Sequence, residues 1–145
     1  MKMMLKPKAA EAACGPVYGI VDIAGYNYAN AVYEGNHESA PNRVMVGSET
    51  NPPAIFSNWQ KVKDNPYVIG DFMWTGWDYL GEVGVGIIDY GKKVGGFTKP
   101  YPAISAYCGA IDLTGKPDTL SYLAGIVWGT YQKPYIGVCL SLIHI

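Results

Sequence analysis

The sequence predicts an α/β fold in which short helices alternate with parallel strands. Three apolar runs, each bounded by turn residues, are nearly continuous rather than strictly alternating, which is typical of parallel strands covered on both faces. Segments of helical or looped character separate these runs, as in successive βα units. The composition agrees, because 49% hydrophobic and only 16% charged residues favour extensive burial. The predicted strand cores are residues 20–24, 44–46 and 68–74.

Two helices are predicted in the first half of the chain. The segment KAAEAACGP has the composition of the end of a helix, with Gly15 and Pro16 as the stop signal. The segment AIFSNWQKVKDNP places Ile55, Trp59 and Val62 at helical spacing and its charged residues on the other side. This pattern predicts a short amphipathic helix between the second and third strands.

The second half of the chain changes character after the third strand. The Gly-rich segment GEVGVGIIDYGKKVGGFTKPYP is predicted to be a long loop, and AIDLTGKP a turn fixed by Asp112. The segment DTLSYLAGIVWG predicts a final helix that begins at an Asp118 or Thr119 cap and ends at Gly129. The segment KPYIGV, residues 133–138, is expected to begin a further strand.

Charge, hydropathy and cysteine spacing exclude several classes of function. The formal net charge is -1 without a Lys/Arg cluster, so no nucleic-acid partner is expected. No stretch approaches the roughly 18 apolar residues of a membrane helix, so no membrane partner is expected either. Cys14, Cys108 and Cys139 lack the spacing of a zinc site, and His37 and His144 lie far apart. The sequence therefore predicts no metal site and no cofactor.

One acidic residue raises a chemical question. In RVMVGSETNPP, a β-branched apolar run ends in a small pair followed by Glu49. Burying a carboxylate is costly, so either the strand stops at a solvated loop or the side chain is held at the rim of a core for chemistry. The pattern by itself leaves both interpretations open.

Five segments together resemble one known family. VDIAGYNYA, PNRVMVGSET, NPYVIGDFMWTGWDYLGE, YPAISAYCGAIDLTGKP and SYLAGIVWG occur in this order. The set resembles the C-terminal part of the catalytic barrel of glycoside hydrolase family 2, most closely its β-galactosidase type, over roughly residues 10–138. The resemblance implies that the three runs are strands six, seven and eight of a (β/α)8 TIM barrel. The chain would then be a partial barrel of about the last three βα units.

The resemblance also implies how the chain is divided. Residues 1–133 are predicted to be the C-terminal part of the TIM-barrel catalytic domain, residues 134–138 the start of a following β-domain, and residues 139–145 an unrelated or truncated tail. A (β/α)8 barrel typically needs about 250 residues, so the chain is expected to be a fragment.

In function, the resemblance implies a retaining exo-β-glycosidase that acts on terminal β-D-galactosides or related β-glycosides. Glu49 matches the family's nucleophile, which attacks the anomeric carbon while a second carboxyl group, about 5 Å away, protonates the leaving oxygen. Asn27 and Tyr28 are expected to bind substrate, and either could donate a hydrogen bond that favours the charged nucleophile. Trp74 is expected to stack on a sugar ring, and Asp78 to accept a hydrogen bond from a sugar hydroxyl.

The chain departs from the family at the acid/base residue. That glutamate ordinarily follows an asparagine at the end of the fourth strand, and no Asn-Glu pair occurs in this sequence. The chain by itself is therefore expected to be inactive. Three alternatives stay open: a β-glucuronidase-type or β-mannosidase-type member, a carbohydrate-binding scaffold without turnover, and a purely structural α/β fragment. Carbohydrate is the expected partner, and a homo-oligomer is one expectation for a full-length parent.

Ordinary structural roles compete with each site assignment. Trp74 and Trp77 are, by residue type, more often core or interface aromatics than sugar platforms. We assign Trp74 to the pocket and Trp77 to a structural role. Asn27 and Tyr28 fit turn positions almost as well, and for Asp78 the sequence favours neither role.

Overall fold

A computed structural model describes residues 7–81, 84–87 and 103–136, in a chain that forms two units, Met1–Trp74 and Thr75–Ile145. Within these described ranges, no helix has both the length and the apolar character needed to cross a membrane. The main elements, in chain order, are α1 (Pro7–Tyr18), β1 (Ile23–Asn27), α2 (Tyr33–Ser39), β2 (Val44–Thr50), α3 (Ile55–Asp64), β3 (Val68–Met73) and α4 (Thr119–Val127). Single 3₁₀ turns at Asn30–Val32 and Pro52–Ala54 precede α2 and α3.

The strands of the first unit form one three-stranded sheet in the order β1-β2-β3. Both neighbouring pairs are parallel, and α2 and α3 lie in the chain between them. Parallel pairing requires such crossovers, because the chain must return to the same edge of the sheet before the next strand begins. The predicted α/β class, with parallel strands separated by helices, is confirmed.

One face of this sheet, here called the covered face, carries the hydrophobic core. Tyr26, Met45 and Val68 of the three strands belong to one buried cluster with Val32 and Tyr33 of the first crossover. Burying an apolar side chain of this size contributes roughly 1.5–3 kcal/mol relative to leaving it exposed. The crossover between β1 and β2 therefore holds the sheet by packing against its covered face.

The opposite face, here called the open face, is largely exposed. Burial alternates along β1, with exposed Ile23, Gly25 and Asn27 on this side. Ile69 and Phe72 of β3 are also exposed, by 54% and 66%. The prediction that the strands are covered on both faces is thus wrong for the residues that the structure describes. Apolar residue type alone did not distinguish a strand covered twice from one covered once.

The predicted end of the first helix is also wrong. Gly15 and Pro16 lie inside α1, which continues to Tyr18. A proline in the last turn removes one helical hydrogen bond. The ring of Tyr18 packs against the core with its centroid 4.9 Å from that of Tyr26. We attribute the longer helix to this packing, which opposes the local stop signal.

For the same reason, β1 begins later than predicted. It starts at Ile23, whereas the predicted core started at residue 20. The amides of Gly19 and Ile20 donate backwards to the carbonyl oxygens of Gly15 and Val17. These residues therefore complete the end of the helix and are not available to the sheet.

Other predicted elements are confirmed. Ile55 of α3 is buried and Val62 packs against the core, as the helical spacing predicted. Asp118 caps α4, and its side chain accepts a hydrogen bond of 2.6 Å from the first helical amide. Asp112 fixes its turn by accepting hydrogen bonds from Thr114 and Lys116.

Some predictions lie outside the described residues. Most of the Gly-rich loop does, at residues 82–83 and 88–102, as does the tail from residue 137 onwards. Of the strand expected at residues 133–138, the described part is not in a strand. The division at residues 133 and 138 stays a prediction.

Near its carboxyl end, the strand β2 contains one more residue than the facing stretch of each neighbour. From Gly25 to Asn27, β1 advances by two residues, whereas the paired stretch of β2 advances by three and ends at Glu49. Against β3 the register shifts twice: from Met45 to Gly47 the extra residue is in β3, between Val68 and Asp71. From Gly47 to Thr50 the extra residue is again in β2. Such an insertion is a β-bulge, which changes the direction of the side chains that follow it.

The bulge changes which side chains of β2 share a face of the sheet. Gly47 and Thr50 share the covered face although they are three residues apart, because a Cβ on Gly47 would lie 3.1 Å from Cγ2 of Thr50. Side chains three apart point to opposite faces in a regular strand. Ser48 and Glu49, which lie between them, both contact Asn27 beside the open face.

A polar cluster lies on the covered face beneath the end of β2. The hydroxyl of Thr50 donates to Oδ2 of Asp71 at 2.9 Å, and Nδ2 of Asn58 lies 3.4 Å from the same oxygen. Asn58 in turn accepts a hydrogen bond from Asn30. Gly47 is required for space, because a Cβ there would lie 2.5 Å from Oδ1 of Asp71. The cluster ties β2, β3, α3 and the first crossover together.

The environment of Asp71 disfavours its charged form. Burial raises the pKa of the Asp71 carboxyl above its ordinary 3.8, and hydrogen bonds from Thr50 and Asn58 offset part of this rise. Burial, with a smaller contribution from the Asp71 charge, also raises the pKa of the nearby Tyr33 hydroxyl. The charged carboxylate therefore costs stability at neutral pH.

We predict that Asp71→Asn removes a pH-dependent loss of stability. Between pH 3.8 and the higher pKa of the folded state, the folded chain keeps the proton that the unfolded chain releases. The free energy of unfolding of the native chain should therefore fall, relative to that of the variant, as the pH rises through this window. Urea unfolding of both proteins over a pH series measures the difference. A difference that stays constant with pH would contradict the prediction.

Thr50→Val provides a second variant. It keeps the shape of the side chain but removes the hydroxyl that stabilises the Asp71 carboxylate. We expect the upper end of the pH window to move to higher pH, and the loss of one buried hydrogen bond to cost roughly 1–3 kcal/mol.

Candidate active site

Glu49 lies at the carboxyl-terminal edge of the sheet, where the backbones of all three strands are joined. Asn27, the last residue of β1, pairs with Glu49, and the amide of Tyr28 donates to the carbonyl of Glu49 at 2.7 Å. On the other side, the amide of Trp74 donates to the carbonyl of Thr50 at 2.9 Å. The position of Glu49 is thus fixed by backbone hydrogen bonds to both neighbouring strands.

The carboxylate of Glu49 accepts one hydrogen bond on each oxygen. The hydroxyl of Tyr28 lies 2.5 Å from Oε1, and Nδ2 of Asn27 lies 3.1 Å from Oε2. Hydrogen bonds to an ionised group are shorter and stronger than neutral ones. Each carboxylate oxygen has two lone pairs, so both retain one that these bonds do not use. The arrangement leaves a half-buried carboxylate able to act as a nucleophile or a base.

Tyr28 makes its contact from an unusual backbone conformation. Its φ of 51° lies in the left-handed region, which is uncommon for residues other than glycine and is especially so for bulky side chains. The side chain is 47% exposed, so core packing does not hold it there. Its hydroxyl and its amide both bond to Glu49. A bulky residue held in such a backbone conformation is typical of functional sites.

Sequence reasoning missed one residue of this cluster. The hydroxyl of Ser48 donates to Oδ1 of Asn27 at 2.7 Å. In the sequence, Ser48 stands out only as part of the small pair before Glu49. Asp71, behind the cluster, was missed as well, although it is the one charged residue within residues 66–77. An isolated charge in an apolar run was the signal that could have identified it.

The remaining predicted site residues do not all join this cluster. Trp74 follows β3 directly and is half-buried, at the edge of the sheet where Glu49 lies. Asp78 belongs to the second unit, is only 8% exposed, and accepts a hydrogen bond of 3.3 Å from the amide of Cys108. Trp77 is 57% exposed and its ring lies beside Gly115. The structure therefore brings Asn27, Tyr28 and Glu49 together, and the functional roles of all five predicted site residues stay predictions.

A cleft of about 370 Å³ lies at the other end of the strands. Tyr18, Asp22 and Arg43 line it near the start of β2. Both terminal nitrogens of Arg43 are bonded to Glu11, at 2.5 and 2.9 Å, and the guanidinium lies 5.1 Å from the ring centre of Tyr18. Its cation is therefore already paired, so the cleft is not the candidate site. In the described ranges no group of three or more His, Cys, Asp or Glu side chains could hold a metal ion.

Comparison with known proteins adds to this geometry. No protein-family model matches the chain. A β-galactosidase of Bacteroides ovatus is 24% identical over 158 aligned residues, which is 79% of this chain and 17% of that protein. A solved glycosyl hydrolase family 2 member from Bacteroides cellulosilyticus is 31% identical with a TM-score of 0.65, over 83% of this chain and 14% of its own. A second such member from that species is 27% identical with a TM-score of 0.58, over 83% and 13%.

These alignments cover most of this chain but only a small part of each of the proteins that it matches. The chain spans less than a fifth of the length of each of the three proteins. The similarity nevertheless covers about four fifths of the chain in each case, in sequence and in structure. The resemblance predicted from the sequence is therefore confirmed: the chain is similar, in sequence and in structure, to part of glycoside hydrolase family 2 members.

Proposed function

We propose that the chain carries the nucleophile side of a retaining β-glycosidase site, with Glu49 as the nucleophile. The observation that carries this proposal is the pair of donors, Asn27 and Tyr28, on the two oxygens of a carboxylate at the carboxyl edge of a parallel sheet. Catalytic residues of (β/α)8 enzymes come from this edge. The relationship to family 2 supports a glycoside hydrolase, with the three strands as part of such a barrel.

We propose a terminal β-D-galactoside as the substrate. The name of the Bacteroides ovatus relative, a β-galactosidase, supports this choice. Trp74 and Asp78 are the further residues that we assign to sugar binding, as the motif resemblance implies. A β-glucuronide or a β-mannoside is the alternative within the same reaction class.

The reaction proceeds in two displacements on the anomeric carbon. In the first, an oxygen of Glu49 bonds to C1 as the C1–O bond to the leaving group breaks, and the oxygen of the leaving group takes the electron pair. In the second, water bonds to C1 and releases a proton to bulk water while the ester bond to Glu49 breaks, and its electron pair returns to the carboxylate. Two inversions at C1 give overall retention.

Asn27 and Tyr28 act differently in the two steps. Glu49 loses its charge as the ester forms and regains it as the ester breaks. Hydrogen bonds from Asn27 and Tyr28 are strongest to the charged form, so they lower the barrier for the second step, in which the charge returns to Glu49, and not that for the first, in which the charge is lost. The two residues therefore make Glu49 a good leaving group after they have positioned it to attack.

The choice of probe follows from the hydrogen bonds of Glu49. Among the residues that the structure describes, the side-chain donors to Glu49 are an amide and a phenol, not a second carboxyl group. A dinitrophenyl β-D-galactoside is suitable because dinitrophenolate is a weak base and leaves without a proton. Lactose needs a proton on its leaving oxygen, so the inactivity expected from the missing acid/base glutamate should hold for lactose. The activated substrate needs no such proton, and we expect the chain to release dinitrophenolate from it.

We predict that Glu49→Gln abolishes dinitrophenolate release. In Glu49→Ala, azide should restore release by occupying the space of the carboxylate, and the product should be the α-glycosyl azide because azide attacks from the face opposite the leaving group. Absorbance measures the phenolate, and NMR identifies the anomer. Glu38→Gln is the matched control, since Glu38 is an exposed glutamate of α2.

Other outcomes would reject the proposal. Release by Glu49→Gln at the native rate, or a β-glycosyl azide, would show that another group attacks C1. Binding of galactose in calorimetry without release of dinitrophenolate by the unmodified chain would favour the non-catalytic carbohydrate-binding alternative.

We predict that Tyr28→Phe slows the second step more than the first. Loss of a hydrogen bond to a charged group costs about 1.5–3 kcal/mol. That cost corresponds to a steady-state rate lower by about tenfold to a hundredfold. The variant should still show an initial burst of dinitrophenolate, because the glycosyl-enzyme forms and then persists. Stopped-flow absorbance measures both phases, and an equal slowing of the two phases would contradict the prediction.

A further inference from the structure

We propose that Ser48 is a positioning residue that sets the orientation of the Asn27 amide and, through it, of Glu49. This proposal rests on the proposed role of Glu49 as nucleophile. The observation behind it is a chain of two hydrogen bonds, from the Ser48 hydroxyl to Oδ1 of Asn27 at 2.7 Å and from Nδ2 of Asn27 to Oε2 of Glu49 at 3.1 Å.

An asparagine amide has two different ends of similar shape. A carboxylate can only accept hydrogen bonds, so Asn27 supports Glu49 only with Nδ2 towards it. The reverse orientation would bring the amide oxygen against the carboxylate, and two acceptors repel. The Ser48 hydroxyl donates to the oxygen end and therefore selects the productive orientation. Selecting one of two orientations is a role for the hydroxyl that simple packing does not supply.

The neighbouring strand leaves room for this arrangement. Gly25 of β1 faces Ser48, and a Cβ at Gly25 would lie 2.9 Å from Oγ and 3.1 Å from Cβ of that serine. Gly25 is not one of the glycines with a positive φ, so space and not backbone conformation requires a glycine there. The bulge in β2 then places Ser48 and Glu49 together beside Asn27. The missing side chain at Gly25 thus leaves the space that Ser48 occupies on the adjacent strand.

The proposal predicts separate effects for four variants. Ser48→Ala removes the donor, and we expect the steady-state release of dinitrophenolate to fall by about tenfold, the lower limit for loss of a hydrogen bond to a charged group. Ser48→Thr keeps the hydroxyl and should retain the native rate. Gly25→Ala displaces the serine and should resemble Ser48→Ala. Ser39→Ala is the matched control, because its hydroxyl bonds to the carbonyl of Gly35 in α2.

The orientation of the amide is measured independently of activity. In the full chain, ¹⁵N relaxation of the Asn27 side-chain NH₂ reports how rigidly the amide is held, and Asn27→Ala identifies its signal. We expect a high order parameter in the native chain, in Ser48→Thr and in Ser39→Ala. We expect the order parameter of the Asn27 NH₂ to decrease clearly in Ser48→Ala and in Gly25→Ala. The chemical shifts of core residues should stay unchanged, which would show that the fold is intact.

Failure of this proposal is distinguishable from failure of the proposed function. If Ser48→Ala leaves the Asn27 order parameter unchanged, Ser48 does not position the amide and the inference is overturned, whatever the kinetics. If the order parameter falls while dinitrophenolate release is unaffected, the catalytic part of the inference is overturned. If the native chain releases no dinitrophenolate, the role of Glu49 fails, and the relaxation data still decide whether Ser48 orients Asn27.

Discussion

The extra residue in β2 between Gly47 and Thr50 is the constraint on which the candidate site depends. Side chains alternate along a strand, so a regular β2 would not place Ser48 and Glu49 together beside Asn27. The bulge changes this alternation at the point where the chain leaves the sheet. A polar side chain can therefore be presented beside the open face, while the strand stays paired with both neighbours.

At this edge of the sheet, the covered face carries a supporting polar cluster and the open face carries the candidate site. On the covered face, Thr50 bonds to Asp71, and Asn58 connects this pair to the first crossover. These contacts hold the end of β2 against β3. They do so although the partly buried carboxyl group of Asp71 is costly in its charged form. Beside the open face, Asn27 and Tyr28 bond to Glu49. We interpret the buried polar cluster as the support that allows the exposed cluster to keep a defined geometry.

Local sequence patterns predicted which helices and strands exist better than they predicted where each one begins and ends. The spacing of Ile55 and Val62 identified α3, and the cap at Asp118 identified α4, because these signals are short-range. The extension of α1 to Tyr18 depends on an aromatic contact with β1, which no local rule contains. Coverage of both sheet faces was wrongly predicted because residue type gives apolar character but not the number of packed layers.

The site was predictable in part and through resemblance more than through pattern. Motif similarity pointed to Asn27, Tyr28 and Glu49, and the structure brings these three together. Ser48 and Asp71 were not found, because their contacts follow from the register of β2 against both neighbours, and register shifts cannot be read from one strand's sequence.

A covalent trap tests the central claim most directly. The chain would be treated with dinitrophenyl 2-deoxy-2-fluoro-β-D-galactoside, whose glycosyl-enzyme breaks down slowly, and then digested and sequenced by mass spectrometry. The account predicts one added fluorosugar, carried by Glu49 in the peptide that contains GSET. A label on any other residue would contradict the assignment of the nucleophile on which the whole interpretation depends.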